Sequence, residues 1–134
     1  MRRLSTAALI FALALPGCRS AAVHTSAQTM VSDRLFFGRD IPAGGTVSDV
    51  DWAQFLATVI TPRFPEGLTI WQANGQWRDP RGNIVREPVF IVEIFHQKSD
   101  AIDASIAAIA AEYKKRFGQD AVLRAISGSQ IIFY

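Results

Sequence analysis

Cysteine is nearly absent from the sequence: Cys18 is the only one among 134 residues. An intramolecular disulfide needs two cysteines, so the packed core alone must hold the folded chain together. Histidine is almost as scarce, with only His24 and His96. Because neither a second histidine nor a cysteine lies at ligand spacing from His96, we expect no metal site and a structural or surface role for this side chain.

Excess charge is missing as well. The formal net charge of +2 equals the contribution of Arg2 and Arg3, which precede an apolar run at the start of the chain. Without these two residues, 12 basic side chains (14 − 2) balance 12 acidic ones. A nucleic-acid-binding protein carries a basic patch or stripe. We therefore expect no nucleic acid among the partners of the mature protein.

Signatures of common catalytic sites are also lacking. Gly44-Gly45 precedes a predicted helix, but the Lys-Ser/Thr continuation of a phosphate-binding loop does not follow. No nucleophile motif of the G-x-S-x-G type occurs anywhere in the chain. The sequence therefore offers no catalytic constellation, and we expect no cofactor.

The start of the chain has the pattern of an export signal. Arg2 and Arg3 precede an apolar run over residues 7–15, which is shorter than the about 20 residues of a membrane-spanning helix. This pattern, with a small residue before the cut, predicts a secretory signal peptide over residues 1–17. We expect residues 18–31 to form a flexible tether and residues 32–134 to form a single domain.

Leu15-Pro16-Gly17-Cys18 is similar to a bacterial lipobox, although Pro16 replaces the usual small or hydroxylated residue. The similarity implies lipid attachment at Cys18 and a protein anchored to a membrane of the cell envelope, facing the periplasm. A lone exposed thiol in an oxidising compartment is a liability, which favours this interpretation. The alternative is an ordinary secretory signal cut nearby, which would leave a soluble periplasmic or secreted protein.

The best-specified element is a helix from Asp49 to about Thr61. Ser48 is a favourable N-cap, and Val47 and Trp52 occupy the positions of a hydrophobic staple. Pro62 ends the helix, because the residue before a proline avoids helical geometry. Apolar residues at helical spacing predict one buried face: Trp52, Phe55, Leu56, Val59 and Ile60.

A second helix is predicted between Ser99 or Asp100, as its N-cap, and Gly118, as its C-terminal stop. Asp100 and Asp103 lie at its N-terminal end and Lys114, Lys115 and Arg116 at its C-terminal end, as the helix dipole favours. Its apolar stripe comprises Ile102, Ile106, Ile109, Ala110, Tyr113 and Phe117.

Residues rich in β-branched and aromatic side chains predict four strands. Asn74-Gly75 in the second is either a hairpin turn or a bulge, and residues 79–83 are the clearer reversal. After the fourth strand, residues 127–129 bend the chain, and residues 130–134 either continue past a bulge or fold back as a fifth strand. The predicted strands are residues 33–39, 68–73 with 76–78, 84–96 and 121–126.

The order β-α-β-β-α-β, with right-handed crossovers, predicts an α+β ferredoxin-like fold, an antiparallel sheet with two helices on one face. Alternation in the third strand assigns Phe90, Val92 and Ile94 to the helix face. It assigns Glu87, Val89, Ile91, Glu93 and Phe95 to the open face. Glu87 and Glu93 lie roughly 20 Å apart along a strand, too far for a paired acid and base. We expect each to bond a cross-strand arginine or to face solvent.

Arginines cluster near strand ends and can bind an anion through their planar forks. These are Arg39, Arg63, Arg78, Arg86 and Arg124. The candidate ligand-binding residues are Arg39, Trp77, Arg78, Arg86 and Glu87, with Trp71 and Trp77 as the floor of a pocket. The alternative is that Arg78 and Arg86 form cross-strand ion pairs with Glu87 and that the tryptophans pack on the sheet.

Several motifs resemble a known bacterial family, catalogued as domain of unknown function 3574. They are Leu35-Phe36-Phe37-Gly38-Arg39, Trp52-x-x-Phe55-Leu56, residues 59–69 (VITPRFPEGLT), Gly75-Gln76-Trp77-Arg78, Arg86-Glu87 and Arg116-Phe117-Gly118-Gln119. The resemblance covers roughly residues 33–134. It implies a small secreted or lipid-anchored envelope protein and carries no established activity. By analogy, the fold is similar to one protomer of a dimeric α+β barrel, which implies a homodimer through the open sheet face.

Two functions remain open. The favoured one is a non-catalytic cell-envelope module that binds a partner or a small ligand. The alternative is a small enzyme of the dimeric α+β barrel type that acts on an anionic small molecule, with Glu87, Arg86, Arg39 and Trp77 as its residues.

Overall fold

The computed structural model describes residues 26–134. The predicted signal peptide, Cys18 and the first part of the predicted tether lie outside the described residues. The strands are β1 (Gln28–Gly38), β2 (Thr69–Arg78), β3 (Ile84–His96) and β4 (Leu123–Ile131). The helices are α1 (Asp49–Phe55) and α2 (Asp100–Phe117). In residues 26–134, no helix is both long and apolar enough to cross a bilayer.

The four strands form one sheet in the order β2-β3-β1-β4, and every neighbouring pair is antiparallel. Residues of both helices share one buried cluster with alternate residues of the central strands. The α+β ferredoxin-like fold predicted from the sequence is therefore confirmed. The sheet has a second face, away from the helices, which we call the open face.

Helix α1 begins as predicted. The Ser48 hydroxyl accepts a hydrogen bond from the Asp51 N–H at 3.1 Å and donates one to the Asp51 carboxylate at 2.6 Å. The expected regular helix to Thr61 is wrong in its last part, because the chain widens into a π-helical turn (Leu56–Ile60) and then tightens into a 3₁₀ turn (Thr61–Arg63). Pro62 explains the change, since its ring would clash with a carbonyl four residues earlier in a regular α-helix.

Strand bounds differ from the prediction where pairing is purely through the backbone. β1 begins at Gln28, inside the predicted tether, because residues 28–31 pair with residues 128–131 of β4. Backbone pairing needs no apolar pattern, so residues 28–31 show no strand periodicity in the sequence. β4 also runs straight through residues 127–129, and the described residues contain neither a bulge nor a fifth strand.

The β2–β3 hairpin is longer and more regular than predicted. Asn74-Gly75 pairs in register with Pro88 and Glu87, so it forms neither a turn nor a bulge. The reversal at residues 79–83 is confirmed: the Asp79 N–H donates to the Asn83 carbonyl at 2.9 Å, and Gly82 adopts a φ of 92°. The turn sets the register of the whole hairpin.

Aromatic rings fill the core between the helices and the sheet. Trp52 of α1 stacks on Phe90 of β3, with ring centroids 4.3 Å apart and planes inclined by 6°. Tyr113 of α2 packs edge-on against Phe37 and Phe55. Its hydroxyl donates to the Gly38 carbonyl at 2.9 Å, which ties α2 to the end of β1.

Candidate functional site

The open face carries large apolar side chains that remain in contact with solvent. Strand register places Trp71 and Trp77 of β2, Phe95 of β3 and Leu123 of β4 on this face. These side chains are between 37% and 62% exposed. In the interior strand β3, Val89 and Ile91 of the same face are buried, whereas Phe90, Val92 and Ile94 lie in the helix-side core. The alternation predicted for β3 is therefore confirmed.

Trp77 and Glu87 meet at one end of the open face. The Trp77 indole N–H donates to Glu87 Oε1 at 3.2 Å, and the Asp40 N–H donates to Glu87 Oε2 at 3.4 Å. The Trp77 bond is at the upper end of the usual N–H···O range of about 2.7–3.2 Å, and the Asp40 bond is longer than that range. The structure thus brings together two of the five predicted ligand-binding residues.

Glycines on both neighbouring strands make room for Glu87. Gly75 of β2 is the direct pairing partner of Glu87, and Gly38 of β1 lies beneath its carboxylate. A Cβ atom at Gly38 would stand 2.6 Å from Glu87 Oε2, closer than atoms can approach. Any side chain at position 38 would therefore push the carboxylate away from its present place.

The charge of Glu87 has no cationic partner among the ion pairs of residues 26–134. The expected cross-strand pairs with Arg78 and Arg86 are not formed, since alternation places both arginines on the opposite face of the sheet from Glu87. Burial raises the pKa of the Tyr113 phenol; Arg39 opposes this rise and the charge of Glu87 adds to it. The charge of Glu87 therefore acts on the Tyr113 phenol in the core beneath it.

Arg39 is held by the chain itself. Its Nε and Nη2 atoms donate to the Val47 carbonyl at 2.9 and 2.8 Å, and Nη2 lies 2.9 Å from the Asp49 carboxylate. The guanidinium also lies 4.5 Å above the Phe90 ring. These contacts hold the loop between β1 and α1 in place.

Arg86 and Glu87 both line a depression of about 350 Å³ along the β2–β3 pair, together with Asn74, Gln76 and Pro88. Arg78 and Arg39 do not line it. Of the five predicted residues, the structure therefore groups Trp77 with Glu87 by a hydrogen bond and Arg86 with Glu87 by a shared depression.

Glu93, on the same face, provides a contrast. Its Oε1 accepts hydrogen bonds from Ser32 Oγ at 2.7 Å and from Arg34 Nε at 2.8 Å, both on the neighbouring strand β1. Burial acts to raise the pKa of Glu93, but these two bonds hold it below its usual value. The expectation of a cross-strand arginine is thus confirmed for Glu93.

A second polar cluster, on the helix side, was missed from the sequence. Asp33 is fully buried and accepts from Arg124 Nε and Nη2, both at 2.7 Å, while His96 Nε2 lies 2.7 Å from Asp33 Oδ2. Arg124 also bonds Asp103 at the start of α2. Burial acts to raise the pKa of Asp33, but the bonds with Arg124 and His96 keep it below its usual value.

The available signal for this cluster was the alternation of Asp33 with Leu35 and Phe37, which places a carboxylate on a core-facing row.

A depression of about 410 Å³ lies beside the cluster, lined by His96, Lys98, Asp103 and Arg124 among others. Every buried polar side-chain atom of residues 26–134 has a hydrogen-bond partner. The buried His96 therefore acts in structure, as predicted, and Arg124 fastens β4 to the sheet and to α2.

Arg63, the remaining arginine of the predicted set, also serves the fold, since it donates to the Val59 carbonyl at 2.6 Å. Within residues 26–134, no three His, Cys, Asp or Glu side chains converge as metal ligands. What the open face offers chemically is an apolar surface with one carboxylate that lacks a countercharge.

Comparisons with known proteins address the family and the fold. The family model described as "Protein of unknown function (DUF3574)" matches residues 32–133. No curated protein matches the chain. A solved phage SAM lyase in complex with S-methyl-5'-thioadenosine is similar over 78% of this chain and 90% of its own, with a TM-score of 0.60 and 17% identity. The phage SAM lyase in its apo state is similar over 79% and 86%, with a TM-score of 0.58 and 16% identity. At such identities the likeness concerns the fold alone.

Proposed function

The chain belongs to the DUF3574 family of proteins of unknown function, and from that premise we propose that it is a non-catalytic module of the bacterial cell envelope that binds a partner or small ligand on its open face. The observation that carries the proposal is the open face itself. Trp71, Trp77 and Phe95 remain partly in water there, whereas Phe90, Val92 and Ile94 on the helix side of β3 are buried in the core. Aromatic side chains are enriched at the centres of binding surfaces.

The first partner we propose is a second copy of the chain, paired through the open face. Contiguous exposed apolar patches larger than a few hundred Å² are rare on monomeric proteins. Burying large aromatic side chains against a second sheet would remove that surface from water, at about 25 cal/mol for each Å² of apolar area.

The test is sedimentation equilibrium of the mature chain, residues 18–134 carrying Cys18→Ser so that it stays soluble. Trp71→Ala should raise the dissociation constant of the dimer at least about tenfold, since it removes a large side chain from the interface. Val50→Ala is the matched control, because Val50 is a 77% exposed apolar residue of α1, away from the open face. A chain that is monomeric at all concentrations would refute self-association and direct the search to other partners.

The envelope location rests on Cys18 and its preceding residues, which lie outside the described residues. Mass spectrometry of the membrane fraction should find a lipid-modified Cys18. The Cys18→Ser chain should move to the soluble periplasmic fraction. A mature chain of unmodified mass in the soluble fraction would refute the anchor and leave the secreted alternative.

A small enzyme acting on an anionic molecule is the second candidate. A depression of about 350 Å³ along the β2–β3 pair is lined by Arg86, an anion-binding side chain. Glu87 also contributes to its lining, although alternation directs the two side chains to opposite faces of the sheet. The fold is also shared with an enzyme, the phage SAM lyase. Incubation with S-adenosylmethionine, followed by chromatography for S-methyl-5'-thioadenosine, tests one such activity directly. Turnover that Glu87→Gln abolishes, with the melting temperature unchanged, would replace the non-catalytic proposal.

A further inference from the structure

Glu87 differs from the other buried or half-buried carboxylates of the sheet. Asp33 is paired with Arg124, and Glu93 is paired with Arg34. Glu87 is also half-buried, yet no cation pairs with it among residues 26–134. Removing a carboxylate from water without a countercharge costs free energy. Asp33 and Glu93 therefore have a cationic partner on the sheet, and Glu87 has none among the described ion pairs.

The hydrogen bonds to Glu87 do not satisfy the carboxylate. An ionised carboxylate has about four acceptor positions, and Glu87 receives one N–H from Trp77 and one from Asp40, at 3.2 and 3.4 Å. Both donors are neutral. A countercharge is therefore the group that this carboxylate lacks.

Trp77 identifies the kind of cation. Its indole N–H is directed at Glu87, which orients the ring, and the side chain is 48% exposed. An oriented indole face attracts a cation through its quadrupole, and quaternary ammonium groups are typically recognised in this way. A hard metal ion fits poorly, since calcium and magnesium need about six oxygen ligands, and no acidic cluster surrounds Glu87 in the described part of the chain.

We infer that Trp77 and Glu87 form a binding site for a small organic cation of the methylated-ammonium type. The carboxylate supplies the countercharge and the indole supplies its face, while Gly38 leaves the room that the Glu87 carboxylate itself occupies. The inference rests on the proposed function, because it assigns a ligand class to the same open face.

The experiment follows the three indole N–H resonances of the mature Cys18→Ser chain by ¹⁵N-correlated NMR, with the Trp77 resonance assigned through Trp77→Phe. Choline is the probe, and 3,3-dimethyl-1-butanol is its uncharged isostere. Choline should shift the Trp77 resonance in a saturable way, and the isostere should leave it unchanged. Equal shifts with both compounds, or no shift with either, would overturn the inference.

Two variants test how much the charge of Glu87 contributes to choline binding. Glu87→Gln should weaken choline binding at least about tenfold, which corresponds to about 1.4 kcal/mol, since it removes the countercharge of the ligand. Glu93→Gln is the matched control, because Glu93 lies on the same strand and face but is already paired with Arg34. Equal affinities for the two variants would overturn the inference. If Glu87→Gln fails to fold, Trp77→Leu, which keeps the carboxylate, must show the loss instead; choline binding to this variant is measured by isothermal titration calorimetry, because the Trp77 resonance is then absent.

Failure of this inference can be told apart from failure of the proposed function. If choline leaves Trp77 unaffected while Trp71→Ala still weakens self-association, the open face binds a partner and the cation site is wrong. If neither effect is observed, the cation site and self-association are both wrong, and the proposed function then depends on another partner of the open face.

Discussion

The buried carboxylate of Asp33 provides the most demanding test of how this fold is held together. Asp33 has no exposed surface, and its two oxygens accept two hydrogen bonds from Arg124 at 2.7 Å and contact His96 at the same distance. Replacing Asp33 by Asn keeps the shape and removes the charge. The guanidinium, whose side chain is only 25% exposed, then keeps Asp103 as its one anionic contact.

Removing one member of a buried ion pair costs about 3–5 kcal/mol, because the remaining charge is left uncompensated. Arg124 is partly exposed and retains Asp103, so we expect the lower end for Asp33→Asn, about 3 kcal/mol. For a domain of this size each kcal/mol corresponds to roughly 4–8 °C in melting temperature. The expected decrease is therefore about 12 °C or more.

The assay is urea unfolding followed by circular dichroism, with the free energy of unfolding extrapolated to water. Asp49→Asn is the matched control, since it makes the same chemical change in a carboxylate that also pairs with an arginine, Arg39. The Asp49 side chain is 76% exposed, and exposed pairs contribute about 0–1 kcal/mol. A loss below about 1 kcal/mol for Asp33→Asn, or equal losses for both variants, would refute this account of the cluster.

Three further predictions concern the Asp33 cluster, the N-cap of α1 and the position of Glu87 over Gly38. Asp33 has a lowered pKa in the folded chain. Its contribution to the free energy of unfolding should therefore be fully present above the unfolded pKa of about 3.9 and should be lost as pH falls through the folded pKa. In acid unfolding experiments, the stability of Asp33→Asn should depend less on pH in this range than that of the wild type. Ser48→Ala should lower the free energy of unfolding by about 1 kcal/mol through loss of the α1 cap, and an unchanged urea midpoint would contradict this. Gly38→Ala should lower the free energy of unfolding by less than about 1 kcal/mol, since the group that it displaces, the Glu87 carboxylate, is the end of a flexible side chain. The same change should shift the Trp77 indole resonance, and an unchanged resonance would show that Glu87 does not lie over Gly38.

The elements predicted correctly are those whose ends are marked by capping or turn residues. Ser48 and Gly118 mark helix ends in the sequence and do so in the structure, where Gly118 adopts a left-handed φ of 63°. The turn at residues 79–83 fixed the register of β3, so its bounds and its two faces were predicted correctly. Asn74-Gly75, a turn dipeptide by preference, was drawn into β2 by pairing along the whole hairpin, which overrides local preference.

Long-range partners were beyond reach from the sequence. Asp33 and Arg124 are 91 positions apart, and Asp33 and His96 are 63 apart, so neither contact leaves a local pattern. Glu87 and Trp77 are only ten positions apart across a predicted hairpin, and this is why they were grouped correctly. Arg39 was placed in the candidate site because the sequence alone shows its charge. Its bonds to Val47 and Asp49 depend on how the following loop folds back, which the sequence does not show.

The early start of β1 determines where the open face would stand relative to a membrane. Gln28 is ten residues after Cys18 (28 − 18), and ten residues reach at most about 35 Å when fully extended. A lipid on Cys18 would therefore keep the Gln28 end of the sheet close to the bilayer. Gly38 and Glu87 lie at the other end of β1, roughly 30–35 Å further out along the strand. With a lipid on Cys18, the strand end that leads to the anchor and the end that carries Trp77 and Glu87 would lie at opposite ends of the sheet.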